Sequence, residues 1–273
     1  MNAVASTGPL LDVADLAVRF DTDHGEVEAV RGVSFQLDAG GSLALLGESG
    51  SGKTAIARAL MGILDDNATT LGSAVYDGTQ LVGLGETAFQ RLRGTEIAMV
   101  FQDAQSALNP AYTVGWQIAE VFRKRAGLRR SAAKKRAVEA LESVGIPDAA
   151  RRAGQYPHQF SGGMRQRVLI AIALALEPRI LIADEPTTAL DATIQSQILA
   201  LIRRVHQETG SALILISHDL GVVAEMADQV LVLKDGAVVE AGATEDIYLR
   251  PEHEYTKTLL AASPAFQAAG VES

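Results

Sequence analysis

The stretch Gly47-Glu48-Ser49-Gly50-Ser51-Gly52-Lys53-Thr54 sets three glycines ahead of a lysine and a hydroxyl, in the spacing G-x-x-x-x-G-K-[ST]. That spacing suits the phosphates of a nucleotide. Backbone N–H groups of Gly47, Ser49, Gly50, Ser51 and Gly52 would wrap the phosphates, Lys53 would reach the β and γ oxygens, and Thr54 would coordinate magnesium. A second device of the same type stands at Phe160-Ser161-Gly162-Gly163-Met164, where Ser-Gly-Gly opens a helical pattern that runs on through Ile170 and Leu176. Such a helix start exposes unpaired N–H groups at its positive end, with no Cβ to hold an anion off. One chain thus carries two candidate phosphate cradles.

Four further positions add candidate chemistry. Asp184 and Glu185 follow the apolar run Ile180–Ala183. A carboxylate pair leaving apolar surroundings is costly unless it meets a cation, a water or a proton to transfer. Beside a phosphate loop, Asp184 would hold magnesium and Glu185 would polarise the attacking water as general base. His218 closes the run Ala212–Ser217 at a place from which a side chain could reach a γ-phosphate, although a lone histidine there is more often structural. Gln102, after Ala98–Phe101, has an amide able to ligate magnesium and to couple nucleotide state to the segment that follows.

These residues need elements that bring strand ends together. The runs Ser42–Leu46, Ile180–Ala183 and Ala212–Ser217 are continuously apolar, as in parallel strands covered on both faces, whose ligand sites lie at the carboxyl ends. All three ends are expected at one crevice, followed by helices over 54–62, 192–209 and 220–227. Residues 16–20, 27–37 and 73–81 alternate or turn at Asp77-Gly78, which favours an antiparallel sheet. A hairpin is expected at Asp235-Gly236, and helices over 114–125 and 131–144. The expected fold class is α/β: a mostly parallel core, an antiparallel β subdomain and an inserted helical subdomain. The nucleotide-binding domain would span 10–242, with the helical insertion at about 103–160 and a short tail over 243–273.

A chain of 273 residues, 48% of them hydrophobic, can fill a sizeable core. It has no cysteine, which excludes disulfides, thiolate zinc sites and cysteine-ligated iron–sulfur clusters, and fits a reducing compartment. The formal charge of −9 argues against bulk nucleic-acid binding. No signal-peptide pattern opens the chain, and the longest apolar run, Val168–Leu176, is about half of the ~20 residues a spanning helix needs. Membrane association would come through a partner or the surface. The eight basic residues of Arg123–Arg136 suit a solvated helical face, or contact with anionic lipid or an acidic loop of a membrane subunit. Trp116 is expected to pack on the apolar side of its helix.

The ordered set GESGSGKT, Gln102, FSGGMRQR, ILIADEP, the triplet Ala189-Leu190-Asp191 and His218 resembles the nucleotide-binding domain of an ABC transporter, over nearly the whole chain. The resemblance implies a P-loop ATPase that uses ATP and magnesium (Mg2+) and closes as a head-to-tail dimer. Each ATP would lie between one subunit's P-loop and the other subunit's Ser-Gly-Gly helix, which accounts for two cradles in one chain. It implies catalytic roles for Glu185, His218 and Gln102, and magnesium ligation by Thr54, Gln102 and Asp184. Nucleotide contacts would come from the P-loop, Asp191, Ser161, Gly162 and Gly163. Phe20 would stack on adenine, or else be an ordinary strand core residue.

Phe160, Met164, the segment Ser106–Glu120 and the tail Ile247–Pro264 resemble the oligopeptide and dipeptide importer branch, whose ATPase type nickel-chelate and other small-solute importers share. Glu254 departs from that branch, which commonly has proline after the tail's first histidine. The branch implies a peripheral ATPase on the cytoplasmic face of a bacterial cell membrane. Its partners would be a second ABC ATPase, a related chain being favoured over an identical one, two transmembrane permease subunits, and an extracytoplasmic solute-binding protein. The ATPase of a soluble phosphonate-degrading complex shares this signature type and stands as an alternative. The presence of Lys53, Asp184, Glu185 and His218 disfavours a regulatory subunit without turnover.

Overall fold

Strong alternation and unbroken apolar runs divide the strands between two kinds of sheet. The computed structural model describes residues 8–102, 107–188 and 190–262; the expectations for Ala189, for Ser106 and for the tail beyond 262 lie outside them. The chain forms two compact units, residues 1–91 with 212–273, and residues 92–211.

In the first unit β1 (Leu11–Thr22) pairs antiparallel with β2 (Gly25–Leu37). After β3 (Ser42–Leu46) and α1 (Lys53–Met61) come β4 (Ala68–Tyr76), which pairs with the other side of β1, and β5 (Thr79–Gln80). The short helix α2 (Glu86–Leu92) follows. This antiparallel sheet is the one that the alternating segments predict. At the β4–β5 turn Asp77 and Gly78 both have positive φ, 43° and 79°, the conformation that Asp-Gly adopts in two-residue hairpins.

The unbroken runs behave differently. In the second unit β6 (Ile97–Val100) runs parallel to β7 (Ile180–Asp184), with Val100 opposite Ala183. In the first unit β3 runs parallel to β8 (Ala212–Ser217), Leu46 opposite Ser217, and to β9 (Gln229–Lys234), Leu46 opposite Val232. Every residue of β3, β6, β7 and β8 is buried, so both faces of each strand are covered. β10 (Ala237–Ala243) returns antiparallel to β9 through Asp235-Gly236, again at positive φ.

The helices of the second unit are α3 (Val114–Arg125), α4 (Arg130–Ser143), α5 (Ala149–Arg152), α6 (Gly162–Leu174) and α7 (Ala192–Thr209). The first unit continues with α8 (Leu220–Met226), α9 (Thr244–Leu249) and α10 (Glu254–Ala261). Helix α6 stops short of the expected Leu176. Glu177 stands before Pro178 with φ 53°, and a residue preceding proline is disfavoured in helical backbone. Trp116 also departs from expectation. The buried stripe of α3 is Val114, Gly115, Ile118, Ala119 and Phe122. Trp116 lies outside it, 41% exposed, and stacks on the exposed Tyr112 ring at 4.0 Å.

The basic run lies on the solvated faces of α3 and α4. Glu120 pairs with Arg123 at 2.6 Å, Glu139 with Arg136 at 3.3 Å, and the Arg136 guanidinium stands 5.4 Å from the centre of the Phe122 ring. Exposed pairs of this type contribute little stability. Among the described residues no helix is long and apolar enough to cross a membrane.

Candidate functional site

The loop between β3 and α1 folds around its own lysine. Lys53 is 5% exposed, and a buried ammonium is costly unless its donors are met. Its Nζ donates to the Gly47 carbonyl at 2.8 Å, the Glu48 carbonyl at 2.7 Å and Ser51 Oγ at 3.3 Å. The chain must pass very close to its neighbours to do this. A Cβ on Gly47, at φ 157°, would lie 2.3 Å from the Leu233 carbonyl oxygen, and one on Gly52, at φ 99°, 2.4 Å from that of Ala29. Gly52 also caps α1 without a side-chain bond, and the first turn of α1 holds no acidic residue. The N–H groups of that turn, the exposed Ser49 and Gly50, the half-buried Thr54 and the lysine together form a concentrated positive end.

His218 is exposed immediately beyond β8. Its neighbours hold the backbone there. Asp219 N–H donates to Ser217 Oγ at 2.9 Å, while Asp219 Oδ1 accepts from Gly221 N at 2.8 Å and from Val222 N at 3.3 Å, capping α8. Phe20 sits half-buried in β1, opposite Val27 of β2 and Ala68 of β4. It is thus neither a fully buried core residue nor a free one.

In the second unit the structure brings together three side chains from two segments, Gln102 from one and Glu185 and Thr188 from the other. Gln102, just past β6, donates through Nε2 to Glu185 Oε2 at 2.9 Å. Thr188 Oγ1 donates to the same oxygen at 2.8 Å. Two donors on one oxygen fix the plane of the carboxylate. Glu185 itself has φ 42°, an uncommon conformation for a side-chain-bearing residue that turns it sharply off the strand. Asp184, the last residue of β7, is 3% exposed. The sequence reading missed Thr188; its only local signal is a hydroxyl three positions after Glu185.

Ser161 is the N-cap of α6, its Oγ accepting from Met164 N at 3.3 Å. Gly162 is open except for Leu190 Cδ2, 3.6 Å from a Cβ built there. Gly163 has a packing reason for its type: an added Cβ would lie 2.4 Å from Ile194 Cγ2 on α7. Asp191 caps α7, with Oδ1 accepting from Ile194 N at 3.0 Å.

Among the described residues no group of three or more His, Asp or Glu side chains is placed to hold a metal ion alone. The expected donors, the Thr54 hydroxyl, the Gln102 amide and the Asp184 carboxylate, are hard oxygen ligands of the type magnesium takes.

A buried parallel strand, a phosphate-wrapping loop with an internally satisfied lysine, and a helix opening directly from it define a P-loop nucleotide-binding α/β protein. A family model described as ABC transporter matches residues 30–188. The oligopeptide transport ATP-binding protein OppD of Bacillus subtilis is 51% identical over 265 residues, covering 96% of this chain and 74% of that protein. OppD of Haemophilus influenzae is 47% identical over 256 residues, covering 94% and 79%. OppD of Mycobacterium tuberculosis is 50% identical over 264 residues, and this chain spans only 43% of its length. Among solved structures, the dimeric post-hydrolysis state of the ATP-binding cassette MJ0796 bound to ADP and Pi matches with a TM-score of 0.76 at 26% identity, covering 86% of this chain and 98% of that one. The chain belongs to the ABC transporter family, with its α/β cassette fold.

Proposed function

We propose that this chain binds and hydrolyses ATP to energise an importer of peptides, acting at the cytoplasmic face of the cell membrane. The observation that carries the reading is the P-loop, whose buried Lys53 is held on the Gly47 and Glu48 carbonyls at the mouth of α1. Relatives of about half-identical sequence bearing the name oligopeptide transport ATP-binding protein support the substrate class.

In this reading the N–H groups of residues 47–54 take the phosphates, and Lys53 exchanges loop carbonyls for β and γ oxygens. Magnesium, held by Thr54, Gln102 and Asp184, would neutralise charge on those oxygens. Glu185, oriented by Gln102 and Thr188, polarises the attacking water and takes its proton. His218 contacts the γ-phosphate, and Phe20 stacks on the base. Ser161, Gly162 and Gly163 face a nucleotide held by a second ATPase subunit, with Asp191 nearby. The proposed domain spans 10–242, with its helical part at about 103–160 and a tail over 243–273. Its partners are a related second ATPase, two permeases and an extracytoplasmic solute-binding protein.

The test uses the purified complex of both ATPases and both permeases. Peptide-loaded binding protein is expected to raise ATP turnover, and Glu185→Gln to retain ATP while losing at least ~100-fold in turnover. Parent-rate turnover in Glu185→Gln removes the general base. Intact ATP turnover that no peptide stimulates removes the substrate class.

A further inference from the structure

The segment after β10 reaches back to the P-loop. On β10, Glu240 accepts the N–H of Glu252 at 2.7 Å through one carboxylate oxygen and that of His253 at 3.1 Å through the other, so it caps the approach to α10. His253 Nδ1 accepts from Tyr255 N at 3.1 Å, completing the cap. Leu260 seats the far end of the helix, buried in a cluster with Leu46 of β3 and Val232 of β9. Glu240 and Leu260 thus fix both ends of an eight-residue helix.

Between those anchors, Tyr255 Oη accepts the N–H of Glu48 at 3.3 Å, 207 positions away in the chain. Lys234 Nζ stands 4.9 Å from the centre of the Tyr255 ring and holds it by a cation–π contact. Glu48 is the second residue of the P-loop, and its carbonyl accepts from Lys53 Nζ at 2.7 Å and from Ser51 N at 3.2 Å. Glu48 is therefore gripped by Tyr255 at its N–H and by the phosphate-reaching lysine at its C=O. Burial pushes the Tyr255 phenol up, and the nearby Glu48 and Asp235 carboxylates add to this, so the hydroxyl stays neutral at physiological pH. A second tail tyrosine, Tyr248, donates its hydroxyl to the Leu220 carbonyl at the start of α8, two residues past His218.

We propose that the segment Thr244–Ala261 is a strap that sets the P-loop, with Tyr255 as a positioning residue that holds Glu48, and through it Lys53, in the geometry that receives phosphate. The inference rests on the P-loop's role in the proposed function. Without the Tyr255 hydroxyl the Glu48 N–H turns to water. The loop then samples other arrangements, and part of the nucleotide's binding free energy goes to reordering it.

The experiment compares the full chain with Tyr255→Phe, which keeps the ring on Lys234, and with Lys257→Ala, on the exposed side of the same helix. Displacement of a fluorescent trinitrophenyl-ATP by ATP is expected to show affinity weakened about threefold to tenfold in Tyr255→Phe, the effect of one lost hydrogen bond, and unchanged in Lys257→Ala. In the assembled complex KM for ATP should rise in proportion, with kcat within about twofold. Hydrogen exchange at the Glu48 amide should quicken while the melting temperature holds. Parent-like ATP affinity in Tyr255→Phe, or equal weakening in both variants, would overturn the strap. A parent chain that takes no ATP would overturn the phosphate role of the loop, and the strap with it.

Discussion

Replacing Gly163 with alanine separates two reasons for a glycine at the start of α6. One is access for an anion; the other is the approach of α7. The added Cβ would meet Ile194 Cγ2 at 2.4 Å, more than ~1 Å inside the 3.5–4.0 Å at which carbon atoms pack best. Overpacking of this order costs about 1–3 kcal/mol, and alanine's better helix propensity returns about 1 kcal/mol. The net loss is then ~1 kcal/mol, or roughly 2–4 °C in Tm for a chain of this size. Ile194→Ala removes the offending methyl, so a double-mutant cycle should give a coupling of about 1–2 kcal/mol that offsets the strain. The assay is thermal denaturation of the four chains, paired with ATP turnover in the assembled complex. Because the new methyl points at α7, turnover in the double variant should return to within about twofold of Ile194→Ala alone. Additive Tm changes would refute the packing argument. Recovered Tm with turnover still absent would show that the nucleotide, and not only α7, requires position 163 to be free of a side chain.

Thr188→Ala removes a donor that meets Glu185 Oε2; a hydrogen bond to a charged group contributes about 1.5–3 kcal/mol, so kcat should fall roughly tenfold with ATP affinity unchanged. Steady-state kinetics that show a change in KM alone would contradict that role. Burial alone would push the Glu240 carboxyl up, but the N–H groups of Glu252 and His253, each donating to one of its oxygens, hold it below its usual 4.5. Its contribution to docking α10 is therefore complete above about pH 4.5 and is lost as pH falls through the lower folded value. Exchange at the Glu252 and His253 amides should accelerate in that acid window in the parent, and Glu240→Gln should flatten the dependence; an unchanged profile in Glu240→Gln would dismiss the cap.

Much of the fold was legible because its signals are local. Unbroken runs marked β3, β7 and β8, Asp-Gly pairs marked both hairpins, and α7 begins and ends where its pattern does. Helix α4 starts one residue earlier than its pattern, and α6 ends early for a reason also visible in sequence, Pro178. What spacing could not reveal were contacts made across long stretches of chain. Gln102 meets Glu185 over 83 positions and Tyr255 meets Glu48 over 207. The type of Gly163 is explained by Ile194, 31 residues on, a constraint with no period to announce it. Trp116 misled for a related reason: an aromatic at the margin of an apolar stripe can turn outward when a neighbour such as Tyr112 offers a stacking face.

Equilibrium ATP binding by the parent chain and by Lys53→Ala, at matched folded content, tests the central claim most directly. The buried ammonium is assigned the task of holding β and γ oxygens, and charge-assisted bonds of about 1.5–3 kcal/mol each make the expected loss ~100-fold or more for two such contacts. Saturable binding in the parent and its near-abolition in Lys53→Ala is the predicted result. Equal affinity in the two chains would contradict it.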